Sequence, residues 1–494
     1  MPDPTTKLPS PRPRRRRRLF SLCLGTALLA LIVSALVHVV AQPPGPAPAS
    51  ARFSVIIDGG STGTRAHVFA AGPDGRPDLA RSTVMRVSPG LSSFAADPAR
   101  AGESLKPLLD FARDKIGGAV REAEVRLMAT AGLRLLEERA QEAILASCRD
   151  VLRASGFRFE DAWAKVIPGS DEGVYAWVAA NYALGRLGGD PNKTVGIIEL
   201  GGASAQLTFV SDEVLPPKLS YNYTFGETTY TLYTNSFLNF GQNAAQDSFH
   251  EMLRSRGSFK NGTLADPCAP RGYSRNEGAS RSTLENQYVN NGTGNFTECI
   301  SSSQLLLQKG KEKCQYQQCH LGSTFVPELR GYFLGTENLY FTSKFFGLKK
   351  SSSLSDFMFA GEQFCNQHLS SLRKRHPNRS DEDFSRYCFS MAYIVALLHD
   401  SLGVPLDDKR IEYSNQVGDI QVEWALGAFI TLMQNTSLKP LHTTAESTHS
   451  NRPLFAVLGM FLLCGVLFVS RWRKPKTKII YDLEKGRYII TRIS

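Results

Sequence analysis

Two stretches of sequence decide the fold: FSVIIDGGSTG (53–63) and TVGIIELGGASAQLTFV (194–210). Each consists of an apolar strand, an acidic residue at the strand end, a glycine-rich turn and a small hydroxyl residue. The two acidic residues, Asp58 and Glu199, lie 141 residues apart. A strand–turn unit that occurs twice indicates an internal repeat, so we expect a duplicated α/β fold with two similar halves.

Further strands and helices alternate around the two copies. AHVFA (66–70), STVMRV (82–87) and VRLMATAG (125–132) have the composition of strands, and SYNYTF (220–225) and TYTLYTN (229–235) predict antiparallel strands in the second half. Apolar periodicity and the positions of glycine residues predict the helices. These span 97–117, Glu137–Ser155, Gly173–Leu187, Phe384–Ser401 and Gln421–Leu432.

A glycine-rich turn after a strand can bind phosphate, because its backbone N–H groups line a concave nest and glycine allows close approach. Asp58 and Glu199 could hold a hydrated cation, since hard cations prefer oxygen ligands. An ordinary Asp-Gly turn is the alternative for the first loop, and the second copy disfavours it. The candidate phosphate-binding residues are Asp58, Gly59, Gly60, Ser61, Thr62, Gly63, Thr64 and Arg65, with Gly201, Gly202, Ala203 and Ser204 in the second loop.

A further acidic residue, Glu172, lies in PGSDEGVYAW (168–177) at the start of a predicted helix. A carboxylate beside a terminal phosphate can orient and deprotonate the attacking water. The alternatives are a purely structural role at the positive end of the helix dipole, and Asp171 as the acid instead. The aromatic stretch GYFLGTENLYFTSKFF (331–346) could stack a nucleobase, or form part of the core.

The net charge of +11 belongs to two short tails. Residues 1–18 and 471–494 each carry +6, which leaves −1 for the rest of the chain, so the charge does not indicate nucleic-acid binding. Each tail adjoins an apolar run, 19–40 or 453–470, that is long enough to cross a bilayer core of roughly 30 Å. A cleaved signal peptide is the alternative for the first run, although its apolar region is normally shorter, about 7–15 residues.

The positive charges outside the two predicted transmembrane helices place both termini in the cytosol. Residues between the spans would then lie outside the cell or in a secretory lumen. Association into a homo-oligomer is left open, and neither span contains a GxxxG motif. Seven N-x-[ST] glycosylation sequons agree with this topology, since all fall between the spans: Asn192, Asn222, Asn261, Asn291, Asn295, Asn378 and Asn435.

Six of the nine cysteines lie after residue 260 and between the spans, which indicates disulfides in the second half of a secretory-pathway protein. Pairing of neighbours in sequence predicts 268–299, 314–319 and 365–388, although six cysteines allow 15 connectivities. Cys148 would remain a buried thiol. A zinc site is the alternative, and no CxxC pair or histidine cluster supports it.

Five motifs in order resemble those of the apyrases, the nucleoside triphosphate diphosphohydrolases, and the long third motif is similar to that of plant members. The motifs are IIDGGSTGTR (56–65), MATAGLRLL (128–136), GSDEGVYAWVAANYALG (169–185), IIELGGASAQLTF (197–209) and QVEWALGAF (421–429). The resemblance implies two ribonuclease-H-like lobes of the actin, sugar-kinase and heat-shock ATPase type, with a nucleotide cleft between them. It also implies hydrolysis of nucleoside triphosphates and diphosphates with Ca²⁺ or Mg²⁺.

The same resemblance implies roles for individual residues. Glu172 matches the catalytic base, and Ser204 and Gln206 match residues that position the attacking water. Asp58 and Glu199 match the carboxylates around the metal. Thr130 and Arg134 belong to the second motif, near the phosphates or the lobe interface, and Tyr340 lies near the position of a base-stacking aromatic residue.

Two departures from the apyrase pattern concern the loops. Glu199 stands where many members have aspartate, which could shift the metal or change the preference between Ca²⁺ and Mg²⁺, and Gly59–Gly60 replaces a common Ala-Gly pair. A lumenal nucleoside diphosphatase acting on UDP or GDP is an alternative function. A nucleotide-binding sensor without turnover is another, and the complete set of carboxylates argues against it.

These observations predict one organisation for the chain. It comprises a cytosolic tail (1–18), a transmembrane helix (19–40), a stalk (41–52), a first lobe (53–190) completed by a C-terminal helix (416–435), a second lobe with a disulfide-bonded insertion (191–415), a second stalk (436–452), a second transmembrane helix (453–470) and a cytosolic tail (471–494).

Overall fold

The computed structural model describes residues 52–72, 75–255, 259–260, 263–277, 288–316, 319–437, 477–482 and 487–492. Both predicted transmembrane segments, the N-terminal tail and most of both stalks lie outside these residues. Within the described part of the chain, no helix is long and apolar enough to cross a membrane. The described residues divide into two compact units, one over 52–437 and one over 477–492.

The first half of the main unit is built on a five-stranded sheet with the order β3-β2-β1-β4-β5. β1, β4 and β5 run parallel, whereas β1, β2 and β3 form an antiparallel meander. The central strand β1 is buried from Val55 onward, as expected for a strand covered on both faces. The strands are β1 (Arg52–Gly59), β2 (Thr64–Ala71), β3 (Pro77–Val87), β4 (Glu124–Ala129) and β5 (Ala164–Val166).

The second half repeats this topology in a six-stranded sheet with the order β15-β14-β6-β7-β9-β8. The motif strand β6 again pairs antiparallel with the strand that follows its loop, and parallel with a later strand on its other side. The strands are β6 (Gly196–Leu200), β7 (Ser204–Val210), β8 (Ser220–Phe225), β9 (Thr228–Leu238), β14 (Phe333–Glu337) and β15 (Ile411–Tyr413).

Eleven α-helices lie in the described main unit, and they pack around the two sheets. They are α1 (Ala99–Ile116), α2 (Ala131–Arg134), α3 (Glu138–Arg153), α4 (Gly169–Ala183), α5 (Gln242–Ser255), α6 (Phe296–Leu307), α7 (Asn338–Phe345), α8 (Leu354–Cys365), α9 (Leu369–Arg375), α10 (Asp381–Val395) and α11 (Trp424–Ser437). A π-helical turn (Ala396–Ser401) continues α10.

The last helix, α11, returns to the first half of the chain. It packs along α4 and touches β1 and β2. Its Phe429 ring stacks on Phe69 of β2, with ring centroids 4.8 Å apart, and Trp424 stacks on Tyr175 of α4 at 6.4 Å. The chain therefore closes its core by placing a C-terminal helix against N-terminal strands.

An insertion in the second half carries a small sheet with the order β10-β11-β13-β12. Its strands are β10 (Phe259–Lys260), β11 (Thr263–Asp266), β12 (Ser274–Glu277) and β13 (Tyr288–Gly292). The disulfides Cys268–Cys299, Cys314–Cys319 and Cys365–Cys388 all form, so pairing of sequence neighbours is confirmed. Cys148 is a buried free thiol, as expected.

Two short hairpins complete the described strands. β16 (Gln416–Val417) and β17 (Ile420–Gln421) precede α11. The C-terminal unit contains an antiparallel pair, β18 (Thr477–Asp482) and β19 (Arg487–Arg492). The sequence predicted only a cytosolic tail for these last residues, and the hairpin was not predicted.

Several element boundaries differ from the predictions. The strand expected over 125–132 ends at Ala129, because the chain turns at Thr130 into helix α2. The helix expected from Gly173 begins at Gly169, directly after Pro168, which places Glu172 inside its first turn. Helix α10 begins at Asp381 rather than Phe384, because Ser380 and Asp383 form a capping box.

Gly427 tests the packing of α11 against α4. A Cβ on Gly427 would lie 1.8 Å from the backbone oxygen of Tyr175. Gly427→Ala should therefore push the helices apart and lower the free energy of unfolding by about 1–3 kcal/mol, measured by denaturant titration. Gly118→Ala is the matched control, because a Cβ there meets nothing within 4 Å. Wild-type stability in the Gly427 variant would contradict this packing.

Candidate active site

The two glycine-rich loops have the same backbone geometry. In the loop after β1, the N–H of Gly60 donates to the carbonyl oxygen of Gly63 at 3.1 Å. In the loop after β6, the N–H of Gly201 donates to the carbonyl oxygen of Ser204 at 3.0 Å. The same backbone hydrogen bond therefore closes both turns, so the two loops repeat each other in backbone structure as well as in sequence.

These loops face each other between the two sheets. A Cβ on Gly202 would lie 2.9 Å from Oγ of Ser61 and 3.5 Å from Cγ2 of Thr62, so glycine is what permits the close approach. The second motif also reaches the first loop, because the N–H of Thr130 donates to the carbonyl oxygen of Gly59 at 3.1 Å. Three sequence motifs therefore meet at one point.

A cavity of about 70 Å³ lies between the loops. It brings together most of the predicted site residues, including the three acidic ones. Its lining consists of Asp58, Gly60, Ser61, Thr62, Gly63, Arg65, Thr130, Ala131, Glu172, Glu199, Gly201, Gly202, Ala203, Ser204, Glu337 and Trp424.

Five predicted site residues do not line this cavity. Gly59 and Thr64 lie in the strands that flank the first loop. Arg134 and Gln206 lie behind Glu172 and Ser204, to which they are hydrogen-bonded. Tyr340 lies in helix α7, where its ring stands 5.4 Å from the ammonium nitrogen of Lys344, and its base-stacking role stays a prediction.

Glu172 is 6% exposed and has two polar neighbours. Nη2 of Arg134 donates to its Oε2 at 2.5 Å. Gln206 lies close enough to the same carboxyl group to lower its pKa. Nε2 of Gln206 also donates to Oγ of Ser204 at 2.7 Å. Burial raises the pKa of Glu172, and the positive charge of Arg134 opposes this rise. A carboxylate with a raised pKa and a fixed orientation is suited to accept a proton.

Asp58 and Glu199 are buried on opposite sides of the cavity, and each has an oxygen without a hydrogen-bond partner. Arg65 lies 3.3 Å from the other oxygen of Asp58. Burial raises the pKa of Asp58 to about 7, an effect that Arg65 reduces and Glu172 increases. Burial, with the nearby charge of Glu172, raises the pKa of Glu199 well above its usual range.

This donor set suits a divalent cation. Buried carboxylate oxygens without partners are the hard ligands that Ca²⁺ and Mg²⁺ prefer. Among the described residues, no group of three or more His, Cys, Asp or Glu side chains is placed to hold a metal directly. Asp58 and Glu199, each with an unpartnered buried oxygen, are the residues that fit such a cation.

Four residues at this site were not predicted as site residues from the sequence. Ala131, Glu337 and Trp424 line the cavity, and Glu423 interacts electrostatically with Asp58. Nδ1 of His67 lies 3.1 Å from Oε2 of Glu423, and burial lowers the pKa of His67 to about 3. Glu423 and Trp424 belong to the fifth motif, which could have indicated them.

A second cavity, of about 730 Å³, lies away from the acidic residues. Its lining is mostly aromatic, aliphatic and hydroxyl-bearing and includes Tyr221, Tyr223 and Phe225 of β8 together with the last turns of α11. Among the described residues, no carboxylate lines it. The larger cavity therefore lacks the groups that phosphate chemistry requires.

The duplicated two-lobed fold of actin type is confirmed by a solved structure, that of nucleoside triphosphate hydrolases from Neospora caninum. The two chains are 19% identical, with a TM-score of 0.61 over 85% of this chain and 97% of that one. Fold and site together define a two-lobed α/β protein in which two glycine-rich loops and buried carboxylates line one cavity.

The chain belongs to the GDA1/CD39 (nucleoside phosphatase) family, whose pattern it matches over residues 46–447. It is 48% identical to a protein of Arabidopsis thaliana described as probable apyrase 6, over 99% of this chain and 93% of that one. It is 28% identical to nucleoside-diphosphatase mig-23 of Caenorhabditis elegans, over 94% and 93% of the respective chains. The predicted apyrase resemblance is confirmed, and the protein is a nucleoside phosphate hydrolase.

The raised pKa of Asp58 predicts a pH-dependent stability. The folded cation-free protein holds a proton on Asp58 up to about pH 7, whereas the unfolded chain loses it near 3.8. The folded state thus binds more protons in this window, and stability falls as pH rises through it. Asp58→Asn should therefore raise the melting temperature in chelator more at pH 8 than at pH 5.

Thermal unfolding of chelator-treated protein measures this difference. Asp110→Asn is the control, because the side chain of Asp110 on α1 is 71% exposed. This substitution should leave the melting temperature nearly unchanged at both pH values. An equal effect of Asp58→Asn at both pH values would contradict the raised pKa of Asp58.

Proposed function

We propose that this protein removes the terminal phosphate from nucleoside triphosphates and then from the resulting diphosphates, with Glu172 as the base. Hydrolysis of nucleoside phosphates follows from the family. The single observation that supports the role of Glu172 is its position. It is buried in the wall of the cavity between both phosphate loops, and an arginine at 2.5 Å holds it in place.

The two loops would bind the phosphate chain from both sides. Their backbone N–H groups and the hydroxyls of Ser61 and Thr62 would contact phosphate oxygens, and Arg65 would supply positive charge. Gly202 brings the second loop close enough for both loops to contact one phosphate chain. Alignment and charge neutralisation of this kind account for most of the catalysis in phosphoryl transfer.

Glu172 would accept the proton of a water molecule that attacks the terminal phosphorus in line with the leaving oxygen. Ser204 and Gln206 would orient that water, since they are hydrogen-bonded to each other and Gln206 lies beside the carboxyl group of Glu172. Arg134 opposes the effect of burial on the pKa of Glu172 and so favours the ionised form of the base. Water attacks directly in this mechanism, so no phosphoenzyme forms.

A divalent cation, Ca²⁺ or Mg²⁺, would be held near Asp58 and Glu199. When bound, it supplies charge neutralisation for the phosphate oxygens and the leaving group. The unpartnered oxygens of the two carboxylates support this assignment. The longer side chain of Glu199 brings its carboxylate further from the strand than an aspartate would.

A lumenal nucleoside diphosphatase is the second candidate. The relative named nucleoside-diphosphatase supports it, because the similarity extends over nearly the whole of both chains. The cavity would contact only the phosphates of either substrate, so it does not distinguish the two functions. Phosphate release from ATP, ADP, UDP and GDP does: turnover of both ATP and ADP supports the apyrase, and turnover of UDP or GDP alone supports the diphosphatase.

Glu172→Gln tests the base. Glutamine preserves size and can keep a hydrogen bond to Arg134, but it cannot accept the proton. We expect kcat to fall by about 10²- to 10⁴-fold while nucleotide binding persists. Phosphate release and binding of a non-hydrolysable ATP analogue measure the two quantities on the full chain.

Asp171→Asn is the matched control. Asp171 directly precedes Glu172 in the same helical turn, and it does not line the cavity. The control should keep most of the activity. A folded Glu172→Gln protein that binds nucleotide and releases phosphate at the wild-type rate would rule out Glu172 as the base.

We also propose that residues 53–437 face the cell exterior or a secretory lumen, with both termini in the cytosol and helices at 19–40 and 453–470 in the membrane. The three disulfides support an oxidising compartment. Five sequon asparagines have described side chains, and all five are at least partly exposed: Asn192, Asn222, Asn291, Asn295 and Asn378.

Glycosidase treatment and protease protection test this topology. Chain produced in sealed microsomes should lose apparent mass after removal of N-linked glycans. Added protease should cleave epitope tags at both termini and leave the central part intact. An unglycosylated chain, or a protected terminus, would contradict the arrangement.

A further inference from the structure

Glu337 is an acidic residue of the cavity that none of the five motifs contains. It ends β14, which runs parallel beside the motif strand β6, and Thr336 pairs with Glu199 in this register. The side chain of Glu337 lines the same cavity as those of Asp58 and Glu199. Parallel strands bring their carboxyl ends to one sheet edge, so the topology itself places a third carboxylate there.

The backbone of Glu337 is strained. Its φ of 56° and ψ of −120° lie in a region that glycine occupies readily and side-chain-bearing residues avoid. Surrounding contacts hold this conformation: the N–H of Glu337 donates to Oδ1 of Asn415 at 2.8 Å, and Nδ2 of Asn338 donates to the carbonyl oxygen of Leu200 at 2.8 Å. A strained residue persists only where its surroundings determine it, and such residues cluster at functional sites.

The charges around Glu337 come largely from the other half of the protein. Arg65 and Arg86 attract it, and Glu423 repels it. Arg86 also touches the first loop, because its Nη2 donates to Oγ1 of Thr62 at 3.1 Å. Glu337 therefore faces the first phosphate loop across the cleft.

A carboxylate here would repel phosphate oxygens unless a cation lies between them. The unpartnered Oδ1 of Asp58 and Oε2 of Glu199 independently indicate that a ligand binds in the same cavity. Both residues are at most 9% exposed, so bulk water does not satisfy these atoms. The three carboxylates thus surround a space that a hydrated cation would fill.

We infer that Glu337 is a positioning residue, which orders the water ligands of the divalent cation bound with the nucleotide and so sets its affinity. This inference rests on the proposed function. Outer residues that orient metal ligands typically change metal affinity by about 10- to 100-fold. The strained backbone conformation of Glu337 would persist, despite its cost in free energy, because it directs the carboxylate of Glu337 into the cleft.

Glu337→Gln and Glu337→Gly test the inference on the full chain. Calorimetric titration with Mg²⁺, in the presence of a non-hydrolysable ATP analogue, should show a cation affinity at least about tenfold lower for both variants. Glu337→Gly should in addition raise the melting temperature in chelator, because glycine relieves the strain at positive φ. Saturating cation should restore much of kcat, since Glu172 is unaltered.

Glu412→Gln is the matched control. Glu412 lies on the neighbouring strand β15, with a side chain that is 56% exposed and 3.8 Å from Lys350. If Glu337→Gln kept the wild-type cation affinity, the inference about Glu337 would be overturned while the proposed function would stand. Wild-type protein that binds the analogue but no cation would instead overturn the cation-dependent function on which the inference rests.

Discussion

Mutual repulsion of buried carboxylates is the constraint around which this protein is organised. Asp58, Glu199 and Glu337 approach one small cavity from two sheets, and Glu172 forms part of its wall. Burial raises the pKa values of all four groups, and neighbouring carboxylates, Glu423 among them, add to the rise. With the pKa of Asp58 at about 7, the cation-free site is partly protonated near neutral pH. In the proposed function, a cation with a phosphate chain would relieve this repulsion when it binds between the two loops.

The fold supplies this arrangement through repetition. Each half carries a strand that ends in an acidic residue, followed by a loop closed by the same backbone hydrogen bond. Helix α4 brings Glu172 to the junction of the loops, and α11 packs on α4 while contributing Trp424 to the cavity. The acidic groups therefore come from separate elements whose positions are determined by core packing, which keeps a costly charge cluster in place.

The features that could be predicted from the sequence are those that local patterns of residues encode. The apolar strands, the glycine turns and the acidic residues at strand ends lie within short segments, and so do the three disulfide pairs. Glu337 was missed because its role depends on the pairing of β14 with β6, a strand far earlier in the chain, and on a backbone angle that propensities disfavour. The contact of Arg134 with Glu172 likewise arises from tertiary packing, although the resemblance indicated both residues.

The central claim is that water attacks the terminal phosphorus directly, activated by a carboxylate fixed between two loops. The stereochemistry at phosphorus tests it most directly. A nucleotide with a chiral, oxygen-isotope-labelled terminal thiophosphate, hydrolysed by the full chain in isotopically distinct water, should yield thiophosphate of inverted configuration. Retention of configuration would require two successive displacements through a phosphoenzyme, and it would contradict the mechanism.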